Sequence, residues 1–279
     1  MSNDTSRRAY GADLSDAQWA LVDPRLPPAP GGGRPREVNL RGGVNAIFYR
    51  LRTGCAWTML PHDLPPRSTV FEYFIRWRNN GTIGRLHDAL RVAVRTQAGR
   101  EPTASAALLD SQFAKTTQTR GERGYDAGQK VKGRNRHILV DTLGLLIAVV
   151  ITAASVQDRD GAKRVFAQAR SETRLQKVWA DGGYSGQLVE STSQEFGWKL
   201  EIVKRSDDIT GFVVLPHRWI VERTFGWLGR FRLMCSEHKA TIASRRTDIP
   251  LCLTHIMLRR LTRAPKMTHE NERRLAHIA

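Results

Sequence analysis

The sequence has few cysteines and no long apolar run, and these two absences exclude several classes of protein. Its three cysteines, Cys55, Cys235 and Cys252, form neither a CxxC pair typical of zinc sites nor an even set typical of disulfide frameworks. No apolar run approaches the roughly 18 residues that a transmembrane helix needs. The N-terminal stretch MSNDTSRRAYGADLSD lacks the apolar core of a signal peptide. We therefore expect a cytoplasmic protein with reduced thiols, located where DNA is accessible, at the nucleoid.

Acidic residues are also scarce. The 279 residues include 27 Asp and Glu against 44 Lys and Arg, which gives a net charge of +17. Such an excess makes nucleic acid the expected partner, because phosphates attract Lys and Arg through counterion release. A basic but otherwise ordinary enzyme is the alternative. The hydrophobic content of 41% allows a sizeable core, and the length suits one large domain and a small one.

The first hundred residues are predicted to be helical. Ser15 is a candidate N-cap for a short helix, and a Pro/Gly-rich loop follows at residues 24–36. Further helices are predicted over residues 39–54 and, capped by Ser68, over residues 68–79. The pair resembles a helix-turn-helix DNA-binding unit, although a small helical bundle would show the same pattern. The basic residues of the later helix are Arg67, Arg76 and Arg78.

The pattern changes near residues 98–105, after a further helix predicted over residues 82–97. Three strand-like runs come first, and the second and third form a hairpin around the turn 141–144. Helices and strands then alternate, so the predicted order is β, β, β, α, β, α, β, α. This order indicates an α/β fold with a mixed five-stranded sheet covered by helices. We predict a helical region over residues 1–100 and an α/β domain over residues 101–279.

Three carboxylates lie where a catalytic cleft could form. Asp110 is predicted to end the first strand, Asp181 to end a later strand, and Glu222 lies on the last helix. If the two strands are neighbours, both Asp side chains point into one cleft, which Glu222 can complete. Two divalent metal ions held by carboxylates commonly catalyse phosphodiester chemistry on DNA. Each residue also has an ordinary interpretation, since a strand-ending Asp is often a turn former and Glu222 could pair with Arg218.

The last helix, RWIVERTFGWLGRFR over residues 218–232, combines an apolar stripe with several arginines. Arg218 is a candidate for holding a DNA phosphate near the carboxylates, and Arg230 and Arg232 are further DNA-binding candidates. Gly226 and Gly229 fall on the same side as Glu222. Their missing side chains either let a DNA backbone come close or relieve helix–helix packing.

A Gly-rich basic segment, residues 114–136, contains seven Lys and Arg and two acidic residues. We expect it to leave the strand of Asp110 as an extended excursion and to return at His137, well placed to hold a DNA end. A solvated loop is the alternative. The candidate DNA contacts are Lys115, Arg120, Lys130, Lys132, Arg134 and Arg136.

The chain resembles the DDE transposases of bacterial insertion sequences. The motifs that match are LLDSQ around Asp110, WADGGYSG around Asp181 and RWIVERTFGWLGRFR around Glu222. The stretch 124–162 and the N-terminal GCAWTMLP are also similar to that family. The resemblance implies an RNase H-like catalytic domain in which Asp110, Asp181 and Glu222 are the catalytic and metal-binding triad for Mg²⁺ or Mn²⁺.

The chain departs from the family pattern on the last helix. Many relatives carry a Tyr, Arg, Glu, Lys signature there, and Arg218 and Glu222 match its centre. Leu215 stands at the Tyr position and Gly229 at the Lys position. Arg230 or Arg232 could supply the missing positive charge.

The resemblance implies an insertion-sequence transposase. Such an enzyme binds terminal inverted repeats, cleaves the DNA with two metal ions and transfers the strand to target DNA. Double-stranded DNA is the expected partner, and a homodimer on DNA is expected because two ends must be joined. Two alternatives remain at this stage: a catalytically silent DNA-binding regulator derived from a transposase, and a metal-dependent nuclease without joining activity.

Overall fold

A mixed β-sheet with helices on both faces forms the centre of the structure. The structure, a computed structural model, describes residues 7–28, 38–116, 124–126, 130–203, 217–235 and 242–263. The strands are β1 (Ala106–Lys115), β2 (Gly124–Asp126), β3 (Val131–Asp141), β4 (Leu146–Ala153), β5 (Lys177–Ala180) and β6 (Lys199–Ile202).

The strand order places β1 at the middle of the sheet. β1 pairs with β3 in antiparallel fashion and with β5 in parallel, and β6 extends the sheet beyond β5 in parallel. β2 and β4 both pair with the outer edge of β3. The described residues thus form a six-stranded sheet rather than the predicted five-stranded one, and the additional strand, β2, has three residues.

The helices follow the predicted alternation closely. They are α1 (Asp16–Val22), α2 (Leu40–Thr53), α3 (Arg67–Asn79), α4 (Thr82–Gln97), α5 (Asp158–Gln168), α6 (Gln187–Phe196), α7 (Arg218–Gly229), α8 (Arg232–Cys235) and α9 (Ile242–Leu261). Ser15 and Gln18 form a capping box on α1, as predicted for the Ser15 cap. Gly54 ends α2 with φ +74°, a conformation that suits glycine.

One prediction about the helices is wrong. Ser68 does not cap α3, because that helix begins one residue earlier, at Arg67, after Pro66. The connection from α2 to α3, residues 54–66, is longer than the three or four residues of a compact helix-turn-helix turn, and the resemblance to that unit stays a prediction.

The helix α9 was not predicted from the sequence, and it is buried through most of its length. Ile249, Leu251, Cys252 and Leu253 are all buried although they point in different directions around the helix. A helix that is apolar on all sides lacks the one-sided periodicity that identifies an amphipathic helix. Pro250 inside the helix further weakens the local helical signal.

The two faces of the sheet bury different sets of helices. Ala107 and Leu109 of β1 pack into one apolar cluster with α5 and α6. Leu108, between them, packs into a second cluster with α2, α3, α4, α7 and α9. Alternation along the strand thus assigns each residue to a face. The helices of the first hundred residues share this second cluster with the sheet, and the domain boundary at residue 100 stays a prediction.

A buried ion pair fastens α4 to the sheet. Arg95 of α4 pairs with Asp141, which is fully buried in the turn between β3 and β4. Asp141 also accepts hydrogen bonds from the amides of Leu143 and Leu145, at 2.9 and 2.8 Å. A buried carboxylate with this many partners is well compensated for the loss of water. The hairpin predicted around residues 141–144 is confirmed by this turn.

Gly161 of α5 is required by the close approach of α5 to β3. A Cβ atom on Gly161 would lie 2.3 Å from the imidazole of His137, which is fully buried in β3. We therefore expect Gly161→Ala to lower the free energy of unfolding by about 1–3 kcal/mol. Gly84→Ala is the matched control, because no described atom lies within 4 Å of a Cβ there in α4. Alanine should stabilise that helix by up to about 1 kcal/mol. Urea denaturation of both variants tests this; equal effects would contradict it.

Candidate active site

The parallel pairing of β1 and β5 brings two of the predicted carboxylates together. Leu108 pairs with Trp179, and the same register places Asp110 opposite Asp181, directly after the end of β5. The prediction that these strands are neighbours is confirmed. Asp110 does not end its strand, however, because β1 continues to Lys115 against β3. The carboxylate of Asp110 thus projects from a rigid position with strand on both sides.

Asp181 lies at a sharp change of chain direction. It precedes a 3₁₀ turn, Gly182–Tyr184, and its Oδ1 atom accepts a hydrogen bond of 2.9 Å from the amide of Gly183. Its Oδ2 atom lies 3.3 Å from the guanidinium of Arg218. The carboxylate is about 29% exposed, so it remains open to a ligand in the cleft.

The helix α7 brings Glu222 and Arg218 to the same cleft. Its apolar stripe, which includes Val221 and Phe225, is buried against the sheet. Thr224 Oγ1 donates to the carbonyl of Gly144 at 3.0 Å and so ties α7 to the β3–β4 turn. Glu222, next to Val221 in the sequence, lies at the edge of that stripe and is exposed. A Cβ on Gly144 would lie 2.8 Å from that same hydroxyl, and its φ of +78° also favours glycine.

Arg218 lies between two of the three carboxylates. Its guanidinium is 3.3 Å from Asp181 and 3.4 Å from Glu222. The pairing of Glu222 with Arg218 is therefore present, and Asp181 shares the same cation. Among the residues that the structure describes, no three acidic, His or Cys side chains converge closely enough to form a ready metal-ligand set.

The positive charge in the cleft does not fully compensate the negative charge of Asp110. Burial raises the pKa of Asp110 to about 6, the negative charges of Asp181 and Glu222 also raise it, and the Ser111 amide and Arg218 lower it. Three carboxylates thus share one guanidinium, that of Arg218. Carboxylate oxygens are the ligands that Mg²⁺ prefers, so this donor set fits a divalent cation.

Several residues around Asp110 were not predicted to contribute to the site. Ser111 Oγ donates to Asp158 Oδ1 at 2.8 Å, and the buried hydroxyl of Tyr184 lies nearby. Burial and the charge of Asp158 raise the pKa of Tyr184, so this hydroxyl stays protonated. These residues come from β1, α5 and the 3₁₀ turn after β5. Ser111 and Tyr184 lie within the motifs LLDSQ and WADGGYSG, and Asp158 lies within the stretch 124–162, so these motifs were the available signal.

One wall of the cleft is apolar. Leu108, Trp179 and Val221 line it beside the carboxylates. The ring of Trp179 stacks on that of His217, with centroids 4.4 Å apart. Apolar walls limit access of water to the carboxylates and strengthen electrostatic interactions in the cleft.

The predicted DNA-binding residues fall into three groups. Those with exposed or half-buried side chains are Arg67, Arg76, Arg78, Lys115, Lys130, Lys132, Arg218, Arg230 and Arg232. Arg134 and Arg136 are each only 2% exposed, and Arg136 donates to the carbonyl of Met234 at 2.9 Å. These two residues are no longer candidates for contacting DNA, because their side chains lie in the interior on β3 and not on an extended loop. Arg120 lies outside the described residues.

The glycines on α7 do not serve helix packing. No described atom lies within 4 Å of a Cβ atom built on Gly226 or Gly229. A glycine inside a helix costs about 1 kcal/mol relative to alanine. The packing interpretation of these two residues is therefore wrong, and their space opens to solvent beside Glu222.

Comparison with known families agrees with this geometry. The family described as "Transposase DDE domain" matches residues 101–246, and the family described as "Putative transposase of IS4/5 family" matches residues 14–87. The first match covers more than half of the chain. A DDE domain has an RNase H-like fold, which the mixed sheet with helices on both faces matches.

Two proteins of Burkholderia cepacia are similar to this chain. One is the uncharacterized 16.2 kDa protein of insertion element IS402, 29% identical over 128 residues, or 42% of this chain and 78% of that protein. The other is described as "Putative transposase for insertion sequence element IS402", 29% identical over 108 residues. That alignment covers 36% of this chain and 51% of the relative, about half its length. In the described part of the chain, no helix is long and apolar enough to cross a membrane.

The raised pKa of Asp110 predicts that ionisation of this carboxyl group lowers the free energy of unfolding of the metal-free protein. Ionised Asp110 is disfavoured in the fold, so its stabilising contribution is present below its ordinary pKa of 3.8 and is lost as the pH rises through about 6. Asp110→Asn should therefore raise the free energy of unfolding by about 1–3 kcal/mol at about pH 7.5, with little gain at about pH 4.

Urea denaturation in the presence of a chelator measures this difference. Asp160→Asn, at an exposed carboxylate on α5, is the matched control and should show little change at either pH. A gain for Asp110→Asn that is the same at both pH values would disprove the electrostatic origin.

Proposed function

Because the chain belongs to the DDE transposase family, we propose that it cleaves DNA at the ends of its own insertion sequence and joins those ends to target DNA. The observation that carries this proposal is that the register of β1 and β5 sets Asp110 of β1 opposite Asp181, directly after β5, with Glu222 of α7 beside the same cleft. Rigid elements hold all three residues, as catalysis at a single phosphodiester requires.

The family implies dependence on a divalent metal, and the carboxylates fit that need. Asp110, Asp181 and Glu222 would hold Mg²⁺ or Mn²⁺, and two ions are proposed. When bound, such ions activate the attacking oxygen and stabilise the leaving oxygen.

Arg218 has two roles in this proposal. In the structure its guanidinium neutralises part of the charge of Asp181 and Glu222, at 3.3 and 3.4 Å. When cations take those carboxylates, the guanidinium is free to hold a phosphate of the scissile strand. Its planar fork of donors suits a phosphate better than a lysine would. It thus orients the DNA while the apolar wall at Trp179 limits access of water.

The reaction has two steps. Water attacks the phosphorus at the element end, the P–O3′ bond breaks, and the departing 3′ oxygen takes up a proton. The 3′-hydroxyl formed then attacks a phosphodiester of the target and displaces its 3′ oxygen. Neither step needs a covalent bond between protein and DNA, since water and the 3′-hydroxyl are the two nucleophiles.

The helical region and the assembly complete the proposal. The exposed Arg67 and Arg76 of α3 are candidates for binding the terminal inverted repeats, and Arg78 adjoins them, half-buried. Lys115, Lys130 and Lys132 project from the far end of the β1–β3 hairpin and would contact DNA there. Two ends must be joined in one event, so a homodimer on DNA is proposed. The reaction takes place where the element lies, at the nucleoid.

Substitution of the carboxylates tests whether they are needed for cleavage and joining but not for DNA binding. We expect Asp181→Asn and Glu222→Gln to reduce metal-dependent cleavage and joining of an element-end duplex by at least about a thousandfold, with DNA affinity largely unchanged. Glu190→Gln is the matched control, since Glu190 is exposed on α6. It should retain full activity. Gel analysis of cleaved and joined products measures the reaction.

Three results would contradict the proposal in different ways. Cleavage that survives both substitutions would remove the triad from catalysis. Cleavage by the wild type without any joined product would indicate a nuclease. Specific binding of the duplex with no cleavage in any protein would indicate a regulator.

A further inference from the structure

A cleft lined by five arginines lies at the end of α7 that is farther from Asp181. Its volume is about 640 Å³. We call it the arginine cleft; its charged members are Arg52, Arg230, Arg259, Arg260 and Arg263. They come from α2, from the residue after α7 and from the end of α9 with the residues that follow. No acidic residue is among the described residues that line it.

The contacts that hold these arginines in place are to backbone carbonyls and aromatic rings rather than to carboxylates. Arg52 donates to the backbone carbonyl of Arg230 at 3.0 Å, and the guanidinium of Arg260 lies 4.1 Å from the ring centre of Trp227. Arg259 donates to the carbonyl of Gly11 at 2.6 Å. In the part of the chain that the structure describes, none of the five forms an ion pair. Burial and the neighbouring Arg52 lower the pKa of Arg259, which reflects the crowding of like charges.

The floor of the arginine cleft carries a buried polar group. His255 is 1% exposed, and its Nε2 atom has no hydrogen-bond partner among the described residues. Its ring lies between Phe48 and Phe231, with centroid distances of 4.7 and 5.9 Å. Burial and the charges of Arg259 and Arg52 lower its pKa to about 4, so it adds no further charge at neutral pH. The positive potential thus comes from the arginines alone.

A bare helix face connects the arginine cleft to the candidate active site. Glu222, Gly226, Gly229 and Arg230 are all exposed along one side of α7. The eight residue steps from Glu222 to Arg230 span about 12 Å at 1.5 Å per residue. Both glycines leave open space above the helix. A duplex advances about 3.4 Å per base pair, so this distance corresponds to fewer than about four base pairs.

We propose that the arginine cleft and the bare face of α7 bind the phosphate backbone of double-stranded DNA on one side of the cleavage site. The proposal rests on the proposed function only in placing cleavage beside Glu222. Phosphates match the chemistry of the cleft, because several guanidiniums without acidic partners favour a polyanion. The absence of side chains at Gly226 and Gly229 lets the backbone lie against the helix.

The test is the salt dependence of DNA binding without divalent metal, so that binding is measured apart from cleavage. The probe is a fluorescent duplex of one element end with its flanking DNA, and the variant is Arg230→Gln/Arg263→Gln. Both side chains are exposed and form no hydrogen bond within the described residues. Arg170→Gln/Arg174→Gln is the control, with the same charge change at exposed ion pairs on the α5 side of the sheet.

We expect the cleft variant to bind at least about tenfold more weakly at roughly 200 mM salt. The slope of log K against log salt should become shallower by about 1.8, or about 0.9 for each phosphate that the variant no longer neutralises. The control should keep the wild-type slope. A cleft variant with the same affinity and slope as the control would overturn the proposal. A reduced slope in a protein that never cleaves would support the cleft and reject only the proposed function.

A second variant tests the bare face of α7. Gly226→Gln places a long side chain over the helix, in space where no described atom is nearby. Glutamine favours a helix more than glycine, so the melting temperature should not fall. DNA affinity should fall at least about fivefold. Gly84→Gln, at an exposed glycine of α4 with the same open space, should bind DNA as the wild type does. Unchanged affinity in Gly226→Gln would remove this face from the proposed DNA path.

Discussion

The parallel register between β1 and β5 is the constraint on which the site depends. Leu108 and Trp179 are paired and face α7, so Asp110 and Asp181, two residues further on each strand, face the same side. A shift of one residue in the register of β5 would turn the side chain of Asp181 toward α5 and α6, away from that of Asp110. β5 has only four residues, yet pairing with β6 on its other edge fixes the register from both sides.

Much of the fold could be predicted because its signals are local. The capping box at Ser15 and the ends of α4 depend on residues a few positions apart, and the structure agrees with both. The full length of β1 could not be predicted in this way. Beyond Asp110 the strand is polar or half-buried, and its partner β3, more than twenty residues later, keeps it extended. α9 could not be predicted either, because burial on all sides removes the periodicity that identifies a helix.

The exposure of the basic residues could not be predicted from the sequence either. Sequence composition identifies a basic segment, but it does not tell which of its charges reach solvent. Arg134 and Arg136 lie two residues apart on β3 and are both buried, because other parts of the chain cover that edge. Arg52 and Arg259 lie far apart in the sequence and meet only after folding. The meeting of Asp110, Asp181 and Glu222 at one cleft could be predicted because their motifs are compact, whereas the arginine cleft is a product of tertiary structure.

The helix α7 runs from a region of negative charge to a region of positive charge. Near its start, Glu222 and the two aspartates concentrate negative charge that repels a DNA phosphate; just past its end, Arg230 belongs to a cleft of positive charge. On the proposed path, a duplex bound at the arginine cleft would meet this negative charge within about 12 Å. Arg218 supplies only one charge there. Cations bound at Asp110, Asp181 and Glu222 would remove the remaining repulsion, so the proposed metal site and the proposed DNA path depend on each other through charge.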